Sequence, residues 1–408
     1  MKRFFCNLFF VILPTLLFQQ GFQVNLQGQK QQAMGSAGSA LPQDAATLFY
    51  NPSGASFINK NKVLAGVSTT FGKSVFLDAN TNDTFRTNSP VGTPFFLYAL
   101  LSPKDTSNKF KYGLAVYTPF GSGIKWEDGW TGRFALTSIK LFSVFIQPTV
   151  SYRVNEKLSF GGGLVYADGA VTLQKDIPVL NAEGNYASAK LNGNANGLGY
   201  NLGLSYKLSS EFQIALSYRS GVKMKVKNGT AEFNVPSSLE VNFPNGSFTS
   251  SLPLPSVSTL GFAYKASNKY AVALDINYVG WSAYKALEFD YEKNTSSLKD
   301  TRSERNYKNT FAFRLGGQYL PDEKTVFRLG VSYVITPVPS GYVTPETPDA
   351  SRLNIAGGIS KTITKNLQAD FSLTFQQLQR SDKNLETNLE GTYKTFVYIP
   401  GIGIQYSF

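Results

Sequence analysis

The chain of 408 residues carries 39 Lys and Arg against 27 Asp and Glu, a formal charge of +12, yet only 16% of its residues are charged while 14% are aromatic; soluble proteins average roughly 25% charged. Histidine is absent and Cys6 is the only cysteine, which excludes Ser-His-Asp and Cys-His catalysis, the commonest zinc ligand, thiolate metal clusters and an intrachain disulfide. Apart from Lys2-Arg3 the basic residues stand singly and never in runs, so the charge indicates no nucleic-acid partner.

The first element is a targeting segment. Lys2 and Arg3 precede a run from Phe4 to Phe18 that is apolar except for Asn7 and Thr15, too short to span a bilayer and suited to a secretory signal. Leu16-Leu17-Phe18-Gln19-Gln20 offers no small-x-small site, so cleavage is expected near Gln20 and residues 1–20 are assigned to the signal peptide. Cys6 lies inside that run and reads as a small apolar filler, not a lipidation site. No later stretch approaches the roughly 18 apolar residues of a spanning helix.

Residues 21–58 show no alternation. They hold the small-residue run Ala33-Met34-Gly35-Ser36-Ala37-Gly38-Ser39-Ala40, then Asp44-Ala45-Ala46-Thr47 and Asn51-Pro52-Ser53-Gly54. A compact segment of this kind suits a plug inside a wide barrel; a periplasmic tail is the other reading open at this point.

From about Asn61 to Phe408, within an assigned unit 59–408, hydrophobicity alternates with the period of a strand that has one apolar face. Phe396, Tyr398, Pro400, Ile402, Ile404, Tyr406 and Phe408 share one parity; Phe371, Leu373 and Phe375, and Phe327, Leu329, Val331 and Tyr333, behave alike. Arg219, Asp275, Arg314, Arg328 and Asp370 sit in mid-strand on the opposite parity, as a polar lumen and a lipid-facing exterior require. About fourteen strand candidates follow, joined alternately by short polar turns (103–108, 154–157, 208–211, 266–269, 321–324, 364–366) and by long excursions near 73–92, 119–139, 177–190, 228–252, 293–308, 336–351 and 381–394. Such a chain predicts an all-β, closed antiparallel transmembrane barrel, since no sheet edge can stay unpaired in lipid. Tyr152, Tyr206, Tyr264 and Tyr319 stand just before short turns on the outward parity, where an amphipathic ring marks the headgroup level.

The residues resemble the FadL-type outer-membrane transporters of long-chain fatty acids and other hydrophobic compounds. The resemblance runs from Gly21-Phe22-Gln23-Val24-Asn25 through Asn51-Pro52-Ser53, similar to the family's Asn-Pro-Ala hatch motif with Ser53 departing, to Leu191-Asn192-Gly193-Asn194, Tyr218-Arg219-Ser220, Asp275 with Trp281-Ser282, Pro337-Val338-Pro339 and Pro348-Asp349-Ala350-Ser351-Arg352. It implies a Gram-negative outer-membrane barrel of fourteen strands plugged by a hatch that includes Gly21, Phe22, Asn51 and Pro52. It implies capture of a hydrophobic ligand by the loops, an internal pocket gated by the hatch, and lateral release into the membrane.

Pro119 and Gly121 in Tyr117-Thr118-Pro119-Phe120-Gly121 are the expected lateral gate, because Pro removes a ladder donor and Gly relaxes the backbone. A ligand carboxylate needs a cation beside an apolar pocket; Lys175, Lys308, Arg305, Arg352 and Arg133 are the candidates, with Phe95, Phe96, Phe134, Phe142 and Phe145 as possible lining. The expected partners are hydrophobic small molecules, outer-membrane lipid and, through the terminal Tyr406-Ser407-Phe408, the barrel-assembly machinery. The protein is read as a monomer without cofactor, metal or catalytic residue. A non-specific polar porin and a member specific for aromatic hydrocarbons are the alternatives.

Overall fold

The computed structural model of the chain describes residues 21–103 and 109–408; the signal segment with Cys6, and most of the first short turn, lie outside them. Fourteen antiparallel strands form a closed barrel. They are β1 (Lys62–Ser68 continuing as Phe71–Asp78), β2 (Thr84–Arg86 and Phe95–Leu101), β3 (Phe110–Tyr117 and Gly121–Lys125), β4 (Ser138–Arg153), β5 (Leu158–Leu180), β6 (Tyr186–Lys207) and β7 (Phe212–Arg219 and Val222–Asn234). The second half comprises β8 (Gly246–Leu254 and Val257–Lys265), β9 (Tyr270–Val279 and Ala286–Tyr291), β10 (Thr301–Glu304 and Thr310–Asp322), β11 (Thr325–Val334), β12 (Arg352–Thr362), β13 (Leu367–Lys383) and β14 (Glu390–Ser407). Each pairs with the next, and β14 closes on β1 in a register running from Lys62↔Ser407 to Ser68↔Gly401.

Alternation in the sequence becomes inside and outside in the barrel. Leu164 is 73% exposed and Leu198 77%, with Leu315, Leu329, Ile355, Phe371 and Ile402 also on the outer surface, the arrangement a lipid solvent stabilises. Tyr206, Tyr264 and Tyr319 are exposed at the short-turn end, Tyr319 stacked on Tyr270 at 4.9 Å and Tyr152 packed on Phe110 at 4.8 Å.

The excursions at the opposite end are shorter than the sequence suggests. Paired strand occupies 73–78, 177–180, 186–190, 228–234, 301–304, 381–383 and 390–394, so β5–β6 turn at 181–185 and β13–β14 at 384–389. Beyond the lipid both sheet faces meet water, polar residues are tolerated on each, and the alternation that marks a strand fades.

The lumen is filled by residues 21–58, nearly all buried, with a short helix α1 (Gln29–Ala33), a single turn α2 (Thr47–Tyr50) and a 3-10 turn at Pro52–Phe57. The five mid-strand charges that suggest a polar lumen all meet this segment. Asp275 accepts from the backbone N–H of Gly38 and Ser39, both at 3.0 Å, and from the Ser39 hydroxyl at 2.6 Å. Arg314 donates to Gly35 O at 3.4 Å, Arg328 to Gln43 Oε1 at 3.1 Å and Arg219 to Phe49 O at 2.9 Å. Asp370 lies 3.9 Å from Lys30, which also faces Asp44 at 3.6 Å. A buried charge without a partner costs several kcal/mol, so wall and segment each supply what the other lacks.

Two wall glycines permit the close approach. A Cβ at Gly203 would lie 2.0 Å from Asn51 Oδ1, and one at Gly330 would lie 2.0 Å from the Met34 carbonyl carbon. Asn51 also donates to Ser39 O and Leu204 O, both at 3.2 Å, and caps the 3-10 turn through Ser53 N–H.

Deleting residues 21–58 is expected to leave a folded barrel, because water entering the lumen then solvates the five charges. Single-channel conductance should rise sharply; a deletion variant that assembles but conducts no more than the intact protein would show that this segment does not occlude the lumen.

Candidate functional site

The site begins at a fault in the wall. β2 and β3 pair from Leu101↔Tyr112 up to Phe96↔Tyr117, and the Thr118 hydroxyl then bonds Phe95 N–H at 3.0 Å. Pairing resumes only where Asn88 N–H donates to Lys125 O at 2.7 Å. Between these points Ser89–Pro94 swings toward β1, where Thr70 and Gly92 exchange backbone hydrogen bonds of 2.7 and 3.2 Å. Pro119–Gly121 turns instead into the lumen and takes the N-terminal segment as its partner. Val24 N–H donates to Pro119 O at 2.7 Å, Gly121 N–H to Phe22 O at 3.1 Å, and the Gln27 amide to Thr118 O at 2.8 Å. The edge exposed by the fault is thus hydrogen-bonded from inside.

Behind the fault lies a cavity of about 720 Å³. Its inner side is Phe22–Leu26 with Ser36, its outer side Pro90–Pro94 and Phe120–Ile124, and its floor carries Arg314, Arg352 and Asn354. Phe142, 44% exposed on the outer wall, also lines it, beside Gly121 at the edge of the fault. A second, apolar cleft of about 80 Å³ lies beyond Phe22 and Phe120, among Leu141, Met224, Leu252, Leu254 and Leu287. The ring of Phe22 borders both spaces. It sits edge-on to Trp281 at 5.2 Å and Tyr284 at 5.8 Å and lies 6.2 Å from Phe120, with Tyr307 packed behind at 5.1 Å from Tyr284. Gly21, at φ 56 and against the Trp281 ring, allows the chain to reach this position.

The candidate cations separate clearly. Arg352 is buried on the cavity floor, and its Nε and Nη1 have no hydrogen-bond partner among the described residues. Arg314 lines the same floor, held by Asn277 Oδ1 at 2.7 Å. Arg305 is buried but bonded to Glu346 at 2.5 Å, so its charge is already met. Lys308 is exposed and Lys175 half-buried, neither lining a cavity. Arg133 folds back on its own loop, donating to Trp130 O at 3.0 Å and Gly129 O at 2.6 Å beneath Tyr186. Asp349, in the loop before β12, accepts from Thr336 Oγ1 at 2.6 Å beside Arg352. Burial pushes its carboxyl up to about 7 against the pull of Thr336 and Arg352.

Of the aromatics expected as lining, only Phe142 reaches a cavity. Phe96 packs on Tyr98 at 5.5 Å and Phe145 on Tyr117 at 5.8 Å, both fully buried, while Phe95 is half-buried and Phe134 meets Tyr186 on the surface. Asn51 and Pro52 lie among the anchors of the segment and line no cavity; Gly21 and Phe22 do. Arg314 was legible only as a lumen charge, and the apolar cleft lined by Met224 and Leu252 was missed, because the long excursion read at 228–252 hid the strand that carries Leu252.

The chain matches the model of the family described as outer membrane protein transport protein (OMPP1/FadL/TodX) over residues 11–408. It is 24% identical over 423 residues to the long-chain fatty acid transport protein of Salmonella typhi, covering 94% of this chain and 92% of that one. It is 24% identical over 435 residues to the protein of the same name from Escherichia coli strain K12, with the same coverage. Among solved structures, a FadL homologue of Pseudomonas aeruginosa superposes with a TM-score of 0.82 at 17% identity, over 95% of this chain and all 100% of that one. The toluene transporter TodX of P. putida gives 0.73 at 16% identity, over 93% and 98%.

Replacing Phe22→Ala should detach the front of the N-terminal segment, since truncating a buried Phe costs about 3–5 kcal/mol. In a Trp126→Phe, Trp130→Phe background the emission of Trp281 should shift to the red and become open to acrylamide. Unchanged quenching would mean that Phe22 does not hold this cluster closed.

Proposed function

The chain belongs to the outer membrane protein transport protein family (OMPP1/FadL/TodX) and is an outer-membrane β-barrel, and on that premise we propose that it takes up long-chain fatty acids or similar amphipathic hydrophobic molecules, performing no chemistry on them. The observation that carries this reading is a cavity that has on its lining both Arg352, a buried cation whose Nε and Nη1 lack hydrogen-bond partners among the described residues, and the break in the lipid-facing wall. The protruding β5–β9 hairpins bury Leu191, Phe233, Phe248 and Tyr291 against one another, and parting of this cluster would expose an apolar surface for capture. From there the ligand enters the cavity, its carboxylate at Arg352 and Arg314 and its chain in the apolar cleft. Phe22 stands between the two spaces, and its displacement joins them. An acyl chain gains about 0.8 kcal/mol for each CH₂ removed from water, so it leaves sideways through the fault between β2 and β3 and not through an aqueous pore. Mass spectrometry of small molecules retained in mild detergent tests the ligand class: carboxylates with long chains are expected, and neutral aromatics would favour a hydrocarbon transporter instead.

The charge of Asp349 opposes a carboxylate at Arg352. Because its carboxyl titrates near 7, it is mostly neutral at pH 6 and ionised at pH 8, while a bound fatty carboxylate, with an ordinary value near 4.3, stays ionised at both. Affinity for a radiolabelled fatty acid should therefore fall between pH 6 and pH 8, and Asp349→Asn should flatten the profile. A wild-type affinity that rises with pH would exclude this placement of the headgroup.

Lateral exit predicts a separation of transport from binding. Pro119→Val with Gly121→Val restores a ladder donor and favours extended backbone, and the new Cβ at position 121 fits at 3.4 Å from Leu141 O. Uptake of labelled fatty acid by cells should fall while binding to purified protein persists. Normal uptake at verified surface levels would show that the ligand does not leave here.

A further inference from the structure

Three lysines on the outer wall serve no contact with the ligand route. In the upper part of β7 the sequence Val222-Lys223-Met224-Lys225-Val226-Lys227 alternates strictly: Val222, Met224 and Val226 are buried, Met224 and Val226 lining the apolar cleft, and the three lysines are exposed on the opposite, exterior face. Inward demand for apolar lining does not dictate lysine outside. Lower on the same strand that outer face carries Leu216 and Tyr218, 50% and 36% exposed, and Tyr218 meets Tyr200 of β6 at 5.8 Å.

Height places these lysines at the outer membrane boundary. Phe212 begins β7 at the short-turn end, level with exposed Tyr264 across β8. Eleven residues separate it from Lys223, which at about 3.3 Å per residue and a tilt near 40° corresponds to roughly 25–28 Å along the membrane normal. The apolar belt of such a barrel is about 25 Å tall, so Lys223 stands at its upper rim and Lys225 and Lys227 just above it.

The neighbours complete a polar, cation-rich face. Lys225 lies across from exposed Asn196 on β6 and from Ser251 on β8. The carboxylates nearest by register are one strand further away on each side. Asp168 of β5 sits opposite Asn196, and Glu288 of β9 is bonded to Arg302. Higher on β7, Glu232 pairs with Lys190 at 3.3 Å. Among the described residues no carboxylate bridges Lys223, Lys225 or Lys227.

We propose that this file of three lysines is a docking site for the phosphate groups of an outer-leaflet lipid headgroup, with Asn196 and Ser251 as flanking hydrogen-bonding groups. Lysines at this height extend naturally to the headgroups, and each cation near an anionic lipid surface contributes about fivefold to binding. The site would hold the barrel in register with the leaflet from which ligand arrives.

The test uses the intact protein in nanodiscs doped with bisphosphorylated lipid A, with retained lipid counted by native mass spectrometry. Lys223→Gln, Lys225→Gln, Lys227→Gln should bind about a hundredfold more weakly, and the parent protein given a dephosphorylated lipid A should lose retention likewise. A control, Lys269→Gln, Lys324→Gln, Lys365→Gln on the opposite turns, removes the same charge and should retain lipid like the parent. Equal loss in the control, or equal retention of the dephosphorylated lipid, would overturn the proposal. Full displacement by millimolar inorganic phosphate, with phosphate itself binding in detergent, would assign the file to free phosphate and overturn the lipid assignment. All variants place their changes on exposed positions, and heat-modifiable mobility on gels verifies that each barrel is folded.

Discussion

A barrel wall in lipid must satisfy every backbone edge and every inward charge from within, because hydrocarbon offers no hydrogen bonds. Fourteen strands enclose more space than wall side chains can fill, so the satisfaction has to come from another part of the chain. Residues 21–58 supply it. Asp275 takes the N–H groups of Gly38 and Ser39, Asp370 faces Lys30, and Arg219 reaches Phe49 O. The same rule explains the fault between β2 and β3: the edge at Pro119–Gly121 survives because the backbone of Phe22 and Val24 bonds to it. Closure of the wall and position of the N-terminal chain therefore rest on the same hydrogen bonds.

The cavity inherits its chemistry from that arrangement. On its polar floor the segment meets Arg314 through Gly35 O but leaves Arg352 without hydrogen-bond partners at Nε and Nη1 among the described residues, while Arg305 is neutralised by Glu346. Its apolar extension is the inward face of β7 and β8, where Met224, Leu252 and Leu254 continue the parity that faces lipid elsewhere. A charged end and a greasy end thus meet at Phe22, which lines both spaces.

Much of this was readable from residues alone, for a physical reason. Parity is a local property, so Leu329 outward and Arg328 inward follow from neighbouring positions, and so did the barrel and its polar lumen. What Arg328 touches is not local: its partner Gln43 is 285 residues away, and nothing in the alternation encodes it. Pro119 and Gly121 announced a break in β3, but not that the break is bridged by Val24. The candidate cations looked alike in sequence because each follows a strand or loop of similar composition. Burial and prior pairing, which only the folded chain defines, separate Arg352 from Arg305, Lys308, Lys175 and Arg133. The outer excursions were overestimated because alternation stops marking strands once both faces meet water.

The N-terminal segment is also graded in how firmly it is held, and the grading suits the proposed route. Residues 29–53 are fixed by buried charges and by Asn51, contacts whose removal costs about 3–5 kcal/mol where a charge is left alone. Residues 22–24 are held by fewer contacts, the burial of the Phe22 ring, about 3–5 kcal/mol on truncation, and two backbone hydrogen bonds of about 0.5–1.5 kcal/mol net each. A long acyl chain entering the cleft, at about 0.8 kcal/mol per CH₂, offsets this set with roughly five to ten buried methylenes, whereas the several buried-charge contacts behind it sum to more. On the proposed route, ligand binding would free the backbone that closes the fault at Pro119–Gly121 without unplugging the lumen, so that an apolar molecule would pass sideways while the barrier to water and ions stays in place.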